Sequence, residues 1–136
     1  MSSILPIALS GMLAATQRLD VAASNVANAN SDGPLPSADA AIQAQYPPAH
    51  AAGQVDQVAM ADGSTRAIVS NVQPATVTAY DPTAPYADPN GLVAAPNVNF
   101  TSEAAQLVLF RYDFAMNVQV MRVASQMFKS LLDTTA

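Results

Sequence analysis

The sequence predicts a mainly α chain with a small β module. Long N- and C-terminal helices pair as an antiparallel, coiled-coil-like hairpin, and a Pro-rich insertion of short strands and loops lies between them. Three observations carry this reading. At one end Leu5, Leu9, Met12, Thr16, Leu19, Ala23, Val26 and Asn30 alternate steps of four and three. At the other, Leu107, Phe110, Phe114, Asn117, Met121, Ala124, Phe128 and Leu131 do the same. A spacing near 3.5 residues is the seam of a helix that lies along other helices. Between them, residues 34–100 hold nine of the ten prolines, and proline both removes a backbone donor and breaks a helix. The boundaries that follow are 1–33 for the first helix, 34–100 for the β/loop module and 101–136 for the last helix.

The first helix is expected from Ile4 to about Ala29. Ser2 or Ser3 serves as its cap, and Pro6 sits in the first turn, where a missing N–H costs little. Asn28 to Pro34 ends it with a run of Asn, Ser, Asp, Gly and Pro. One side of this helix carries the Leu/Met seam. Another carries Ala8, Gly11, Ala15, Ala22 and Ala29, small enough to admit a second backbone closely.

In the insertion, short alternating runs predict strands at Gln54–Met60, Arg66–Val72 and Ala75–Tyr80, with Asp62-Gly63 as a hairpin turn. Residues 81–100 read as turns, and Pro34–Pro48 reads as disordered in isolation. Thr101 or Ser102 is the expected cap of the last helix, which runs to about Asp133 with Glu103 at its positive end.

Angular placement at about 100° per residue gives the last helix two apolar stripes. Leu107, Phe110, Phe114, Val118, Met121, Phe128 and Leu132 form one; Leu109, Met116, Val120, Val123, Met127 and Leu131 form the other. Arg111, Arg122 and Lys129 share a narrow polar face with Gln126 and Asp133. The first helix covers one stripe. The other needs a different chain, because soluble monomers avoid large exposed apolar patches. The expected subunit interface is therefore Leu5, Leu9, Met12, Leu19, Val26, Leu107, Phe110, Phe114, Val118, Met121, Phe128 and Leu131. An isolated monomer is expected to have frayed ends that order on assembly.

Composition narrows the function. Charged residues make up 11%, against about 25% in a typical soluble domain. Net charge is −5 with five Lys/Arg, which argues against nucleic acid and against an anionic membrane surface. There is no Cys, hence no disulfide or thiol chemistry. No apolar run reaches the roughly 18 residues that span a bilayer. Ile4–Ala15 has the length of a signal-peptide core, but no basic residue precedes it, and no cleaved secretory signal is expected.

No catalytic constellation is present, and no metal or cofactor is expected. His50, the single histidine, lies among Pro and Ala and reads as an exposed loop residue. Asp81, Asp88 and Asn90 lack the alternating spacing of a calcium loop and read as turn formers. Asp113 lies toward the second stripe, to pair with a neighbour's base or to face solvent.

Ser10-Gly11-Met12, followed by Arg18-Leu19-Asp20-Val21-Ala22-Ala23-Ser24-Asn25-Val26-Ala27-Asn28-Ala29-Asn30-Ser31, resembles the N-terminal signature of flagellar axial proteins: rod, hook and hook-associated subunits. Tyr80-Asp81-Pro82, Ala87-Asp88-Pro89-Asn90-Gly91-Leu92-Val93 and Pro96-Asn97-Val98 are similar to the approach to the last helix in proximal-rod proteins of the FlgC type. Asn117-Val118-Gln119-Val120, Ala124 and Met127-Phe128-Lys129-Ser130-Leu131-Leu132 are similar to that family's final helix. The sequence departs from the family pattern after Gly33, where Pro34-Leu35-Pro36 replaces an aromatic and basic stretch, and between Pro34 and about Pro74.

The resemblance implies a structural subunit of the basal-body proximal rod. Its terminal helices would polymerise into a hollow, torque-transmitting shaft across the periplasm. Its implied partners are further copies, other rod subunits, the MS-ring or rod-base proteins and the flagellar type III export apparatus, with no membrane insertion. Another flagellar axial or rod-associated protein is the first alternative; a small helical adaptor or secretion-chaperone-like module is the second.

Overall fold

A computed structural model of the chain describes residues 4–135. Its order is α1 (Ile4–Ala27), α2 (Ala40–Gln45), β1 (Gly53–Ala59), β2 (Thr65–Asn71), β3 (Thr76–Tyr80), β4 (Leu92–Pro96) and α3 (Phe100–Thr135). The molecule is mostly helical, with a long helix at each end and two small antiparallel sheets between. The expected caps Ser2 and Ser3 lie outside the described residues.

α1 stops two residues before the expected Ala29. Asn28 donates its side-chain amide to the Ser24 carbonyl at 2.9 Å, which draws the chain into a turn over Asn28–Asn30. α3 starts at Phe100, two to three residues earlier than the expected caps allow. Asn99 is the cap: its Oδ1 accepts the Ser102 N–H at 3.0 Å. Thr101 and Ser102 therefore sit inside the helix.

β1 and β2 form the hairpin that the alternation predicts, paired from Gly53↔Asn71 to Ala59↔Thr65. Its turn is closed by Met60 N–H to the Ser64 carbonyl at 2.8 Å, and by Asp62 Oδ1 accepting both the N–H and hydroxyl of Ser64. β3 pairs with β4, a strand that the turn-rich reading of residues 81–100 missed. Leu92–Pro96 shows no alternation because Val93 and Ala94 are both buried. Such a two-sided strand reads as a short apolar run rather than as period two. α2 occupies the middle of Pro34–Pro48, where Ala40, Ala41 and Ala44 supply the helix propensity.

Loop bonds tie the pieces together. Gly33 and Ala94 exchange two backbone hydrogen bonds at 2.9 Å, and the His50 N–H reaches the Ser31 carbonyl. Val72 N–H donates to Ala52, and Ala52 N–H to Ala75, which links the two sheets. The hairpin packs along α1, and among the described residues neither sheet packs on α3.

Among the described residues, prolines and glycines aside, the buried apolar side chains are Ala8, Ala14, Ala15, Ala22, Ala52, Ala94, Ala124 and Val93. Seven of these eight are alanine, so the core brings backbones close together but buries little side-chain area.

Candidate assembly interface

α1 and α3 pack side by side, and three contacts fix their register. Gly11 lies against Asn117, Arg18 against Asp113 and Phe110, and Asn25 against Glu103. Partner numbers fall as α1 numbers rise, so the helices run antiparallel. The row of α1 that meets α3 runs through Gly11, Ala15, Arg18, Ala22 and Asn25: the small side of the helix. A Cβ built at Gly11 would stand 2.6 Å from Asn117 Oδ1. A side chain at that position would displace the Asn117 amide, whose Nδ2 donates to the Asp113 carbonyl at 2.8 Å.

Polar residues pin this contact at two points. Asn25, 2% exposed, donates to the Gly53 carbonyl at 2.8 Å and to Glu103 Oε1 at 2.9 Å, while accepting the Gly53 N–H at 2.9 Å. A single amide thus joins α1, the first residue of β1 and the first turn of α3. Its hydrogen-bonding capacity is almost fully used, as a buried amide requires. Two turns away, Arg18 pairs with Asp113 at 2.8 Å while its guanidinium lies 4.4 Å from the centre of the Phe110 ring. A cation so placed gains from both partners.

The large apolar residues lie at the rim of this contact. Leu5, Met12, Leu19, Val26, Leu107, Phe110, Val118, Met121 and Phe128 are half-buried; Leu9, Phe114 and Leu131 are exposed. The fold brings Leu19, Phe110 and Phe114 together in an apolar groove of about 210 Å³ with Ala15, Thr16 and Arg111. The second stripe of α3 is open along its length: Leu109, Met116, Val120, Val123, Met127 and Leu131 are each between 47% and 61% exposed. On a chain of this size that is a large apolar surface turned to water.

The residues that periodicity did not single out are Asn25, Arg18, Asp113 and Glu103. Asp113 pairs within the chain, with α1, and not with a neighbour or with solvent alone. Asn25 stood in the sequence only as one letter of a signature. Its sole separate signal was an amide at a seam-adjacent position of an otherwise apolar helix.

The groups considered for chemistry serve structure. Asp81 accepts the N–H and hydroxyl of Thr83, and Asp88 accepts the N–H groups of Asn90 and Leu92. The Thr83 hydroxyl holds the Asp81 carboxyl below its ordinary pKa, and the Leu92 N–H does so for Asp88. His50 is half-buried in its loop. Among the described residues no three His, Cys, Asp or Glu side chains gather to hold a metal, and no helix is long and apolar enough to cross a membrane.

Comparison with known proteins agrees with this geometry. The family described as "Flagella basal body rod protein" matches residues 5–34, the whole of α1 but its first residue. The flagellar basal-body rod protein FlgC of Salmonella typhimurium is 33% identical over 135 residues, covering 95% of this chain and 94% of that protein. FlgC of Escherichia coli O6:H1 is 36% identical over the same shares. FlgC of Agrobacterium fabrum is 32% identical over 98% of this chain and 94% of its own length.

Proposed function

Because the chain belongs to the flagellar basal-body rod protein family, among its FlgC proteins, we propose that it polymerises through its terminal helices into the proximal part of a hollow, torque-transmitting rod. It is a structural subunit of the flagellar basal body, not an enzyme. Residues 1–33 and 101–136 form the axial core in this reading, paired as a coiled-coil-like hairpin. Residues 34–100 form the module carried beside it.

One observation supports it above the others: α3 meets α1 along one face and leaves a second apolar stripe, Leu109 to Leu131, uncovered. A stripe of that length suits a further helix. Head-to-tail contacts that do not close on themselves produce a helical tube. Its neighbours are other copies and other rod subunits, with MS-ring or rod-base proteins at the base. Export through the flagellar type III apparatus, to a rod that spans the periplasm, belongs to the same reading. A core built mostly of alanine leaves little packing to undo before passage through a narrow channel.

Phe114→Asp tests the reading. Phe114 is 43% exposed in the single chain, so a carboxylate there stays largely hydrated and the free subunit keeps its fold. In an assembled rod the same carboxylate is desolvated at a cost of several kcal/mol. The expected outcome is a folded, exported subunit that fails to enter basal bodies, with loss of motility. Leu19→Asp, across the same groove, behaves alike. Normal assembly by either variant contradicts the interface.

A further inference from the structure

Strand β3 has one edge in use and one open. The Asp81 N–H donates to the Gly91 carbonyl, so these two are a hydrogen-bonded pair, and by antiparallel alternation so are Ala79 with Val93 and Val77 with Ala95. Thr76, Thr78 and Tyr80 therefore turn their N–H and carbonyl groups away from β4, and among the described residues these groups have no hydrogen-bond partner. The matching edge of β4 is taken, because Ala94 bonds to Gly33 and Leu92 to Asp88. β1 and β2 carry Asp56 and Arg66, and their outer edges are tied to α1 through Asn25 at Gly53 and Ser10 at Thr65. Thr76-Val77-Thr78-Ala79-Tyr80 has neither device: no charge, no proline and no covering segment, in residues that favour extended backbone. From this open edge we infer that β3 receives an extended, basic segment of another protein as a third strand.

The unpaired row selects a main chain, since another extended backbone presents donors and acceptors at the same repeat. Charge selects the side chains it carries. Residues 67–100 hold Asp81 and Asp88 and no Lys or Arg. Asp81 follows Tyr80 directly, and Thr83 bonds only its Oδ1, which leaves Oδ2 for a cation. Tyr80 is 72% exposed, so an arginine or lysine beside it gains the aromatic ring as well as the carboxylate. Thr76 and Ala94 share a face of the sheet and line an apolar groove of about 380 Å³ with Leu35, Tyr46 and Pro48, which suits an apolar side chain of the added strand. Pairing β3 of two copies edge to edge would supply no cation and would bring two acidic surfaces together. This surface lies in the central module and does not depend on the helical assembly proposed above.

Amide exchange and NMR titration of the full-length chain test this with a short probe peptide of alternating threonine and leucine, arginine at both ends. The peptide is expected to slow exchange of the Thr76, Thr78 and Tyr80 amides more than that of Val77 and Ala79, which are already bonded to β4. Glutamate in place of its arginines is expected to weaken binding by at least about tenfold. No protection of the three edge amides overturns the site, and equal binding of the two peptides overturns the basic partner. Protection of those amides that rises with the concentration of the chain alone gives the edge to a second copy and overturns the inference. Thr78→Pro removes an outward N–H that the β3–β4 ladder does not use, so the strand pair stays while the arginine-ended peptide is expected to bind at least about tenfold more weakly. Unchanged binding by that variant overturns strand addition. The same peptide N-methylated throughout asks the question of the unaltered chain, and its unchanged binding overturns strand addition equally. Asp81→Asn keeps the Oδ1 acceptor for Thr83 and removes the charge. Roughly threefold weaker binding is expected, and no change overturns the contact with Asp81.

Discussion

Asn25 holds three elements with one side chain, and its removal should be felt in all of them. Asn25→Ala leaves the Gly53 N–H and carbonyl and a Glu103 oxygen without their partner, beside an open cleft whose water recovers part of the loss. Orphaned buried groups cost about 1–3 kcal/mol each, so a loss of about 2–3 kcal/mol in chemical unfolding is expected, with faster exchange of the Gly53 amide. Asp113→Asn is the contrast. The Asp113 side chain is 43% exposed, so its pair with Arg18 contributes less than about 1 kcal/mol and the substitution should shift the unfolding midpoint little. A larger loss from Asp113→Asn than from Asn25→Ala would reverse this ranking. Neither partnership was legible in the sequence, for a physical reason. Periodicity reports which residues share a helix face. It does not report which loop is brought against that face, and Gly53 meets Asn25 only because the hairpin folds back along α1.

The long helices were legible as elements because their alternation persists over many turns. The side of α1 that meets α3 was harder to read. The eye follows Leu and Met, whereas the close contact runs through Gly11, Ala15 and Ala22, where the absence of side chain is the attraction. This makes Gly11→Val a sharp test of the pairing. Its side chain enters the space of Asn117 and should destabilise the helix pair by about 1–3 kcal/mol, although valine is a slightly better helix former than glycine. The Gly11→Val/Asn117→Ala double variant should recover a measurable part of the loss in a double-mutant cycle. Strict additivity would mean that the two residues do not meet.

Hydrogen-bonded turns make the module's stability depend on pH. In Asp62, Asp81 and Asp88, bonds from Ser64, Thr83 and Leu92 lower the folded pKa below the ordinary value of 3.8. A carboxyl with a lowered folded pKa stabilises the fold above the unfolded value, and that contribution is lost as pH falls through the folded value. The Ser64, Thr83 and Leu92 amides are therefore expected to hold their protection from neutral pH to about pH 4 and to lose it below. Amide exchange across that range checks this, and loss of protection already at pH 6 would require another cause. β4 escaped the sequence reading because the residues before it, Asp88-Pro89-Asn90-Gly91, and its own last residue, Pro96, are themselves turn signals. Five apolar residues inside such a frame carry no periodicity of their own.

At the scale of the whole molecule, the fold leaves its large apolar side chains on the outside and its alanines within. Helices of this kind draw most of their stability from packing rather than from propensity. α1 has α3 on one side and the hairpin on another. The described start of α1 lies opposite Ala124; beyond it Met127 and Leu131 are about half exposed and Phe128 is half-buried, so this end of α3 draws more than the rest of the helix on its own propensity and on what covers it in an assembly. The dilute chain is therefore expected to show less helix by far-UV circular dichroism than the fold contains, with the deficit concentrated at the C-terminal end of α3. Amides of residues 125–134 should exchange rapidly in the free subunit. Assembly adds a partner that binds only the ordered form, and mass action then raises their protection, on the order of 100-fold for about 2.7 kcal/mol of added local stability. Amides at Glu103–Asn117, opposite α1, should change far less, because their partner is already in place. Equal protection along the whole of α3 in the dilute chain would mean that the helix needs no neighbour to finish it, and the stripe from Leu109 to Leu131 would then need another explanation.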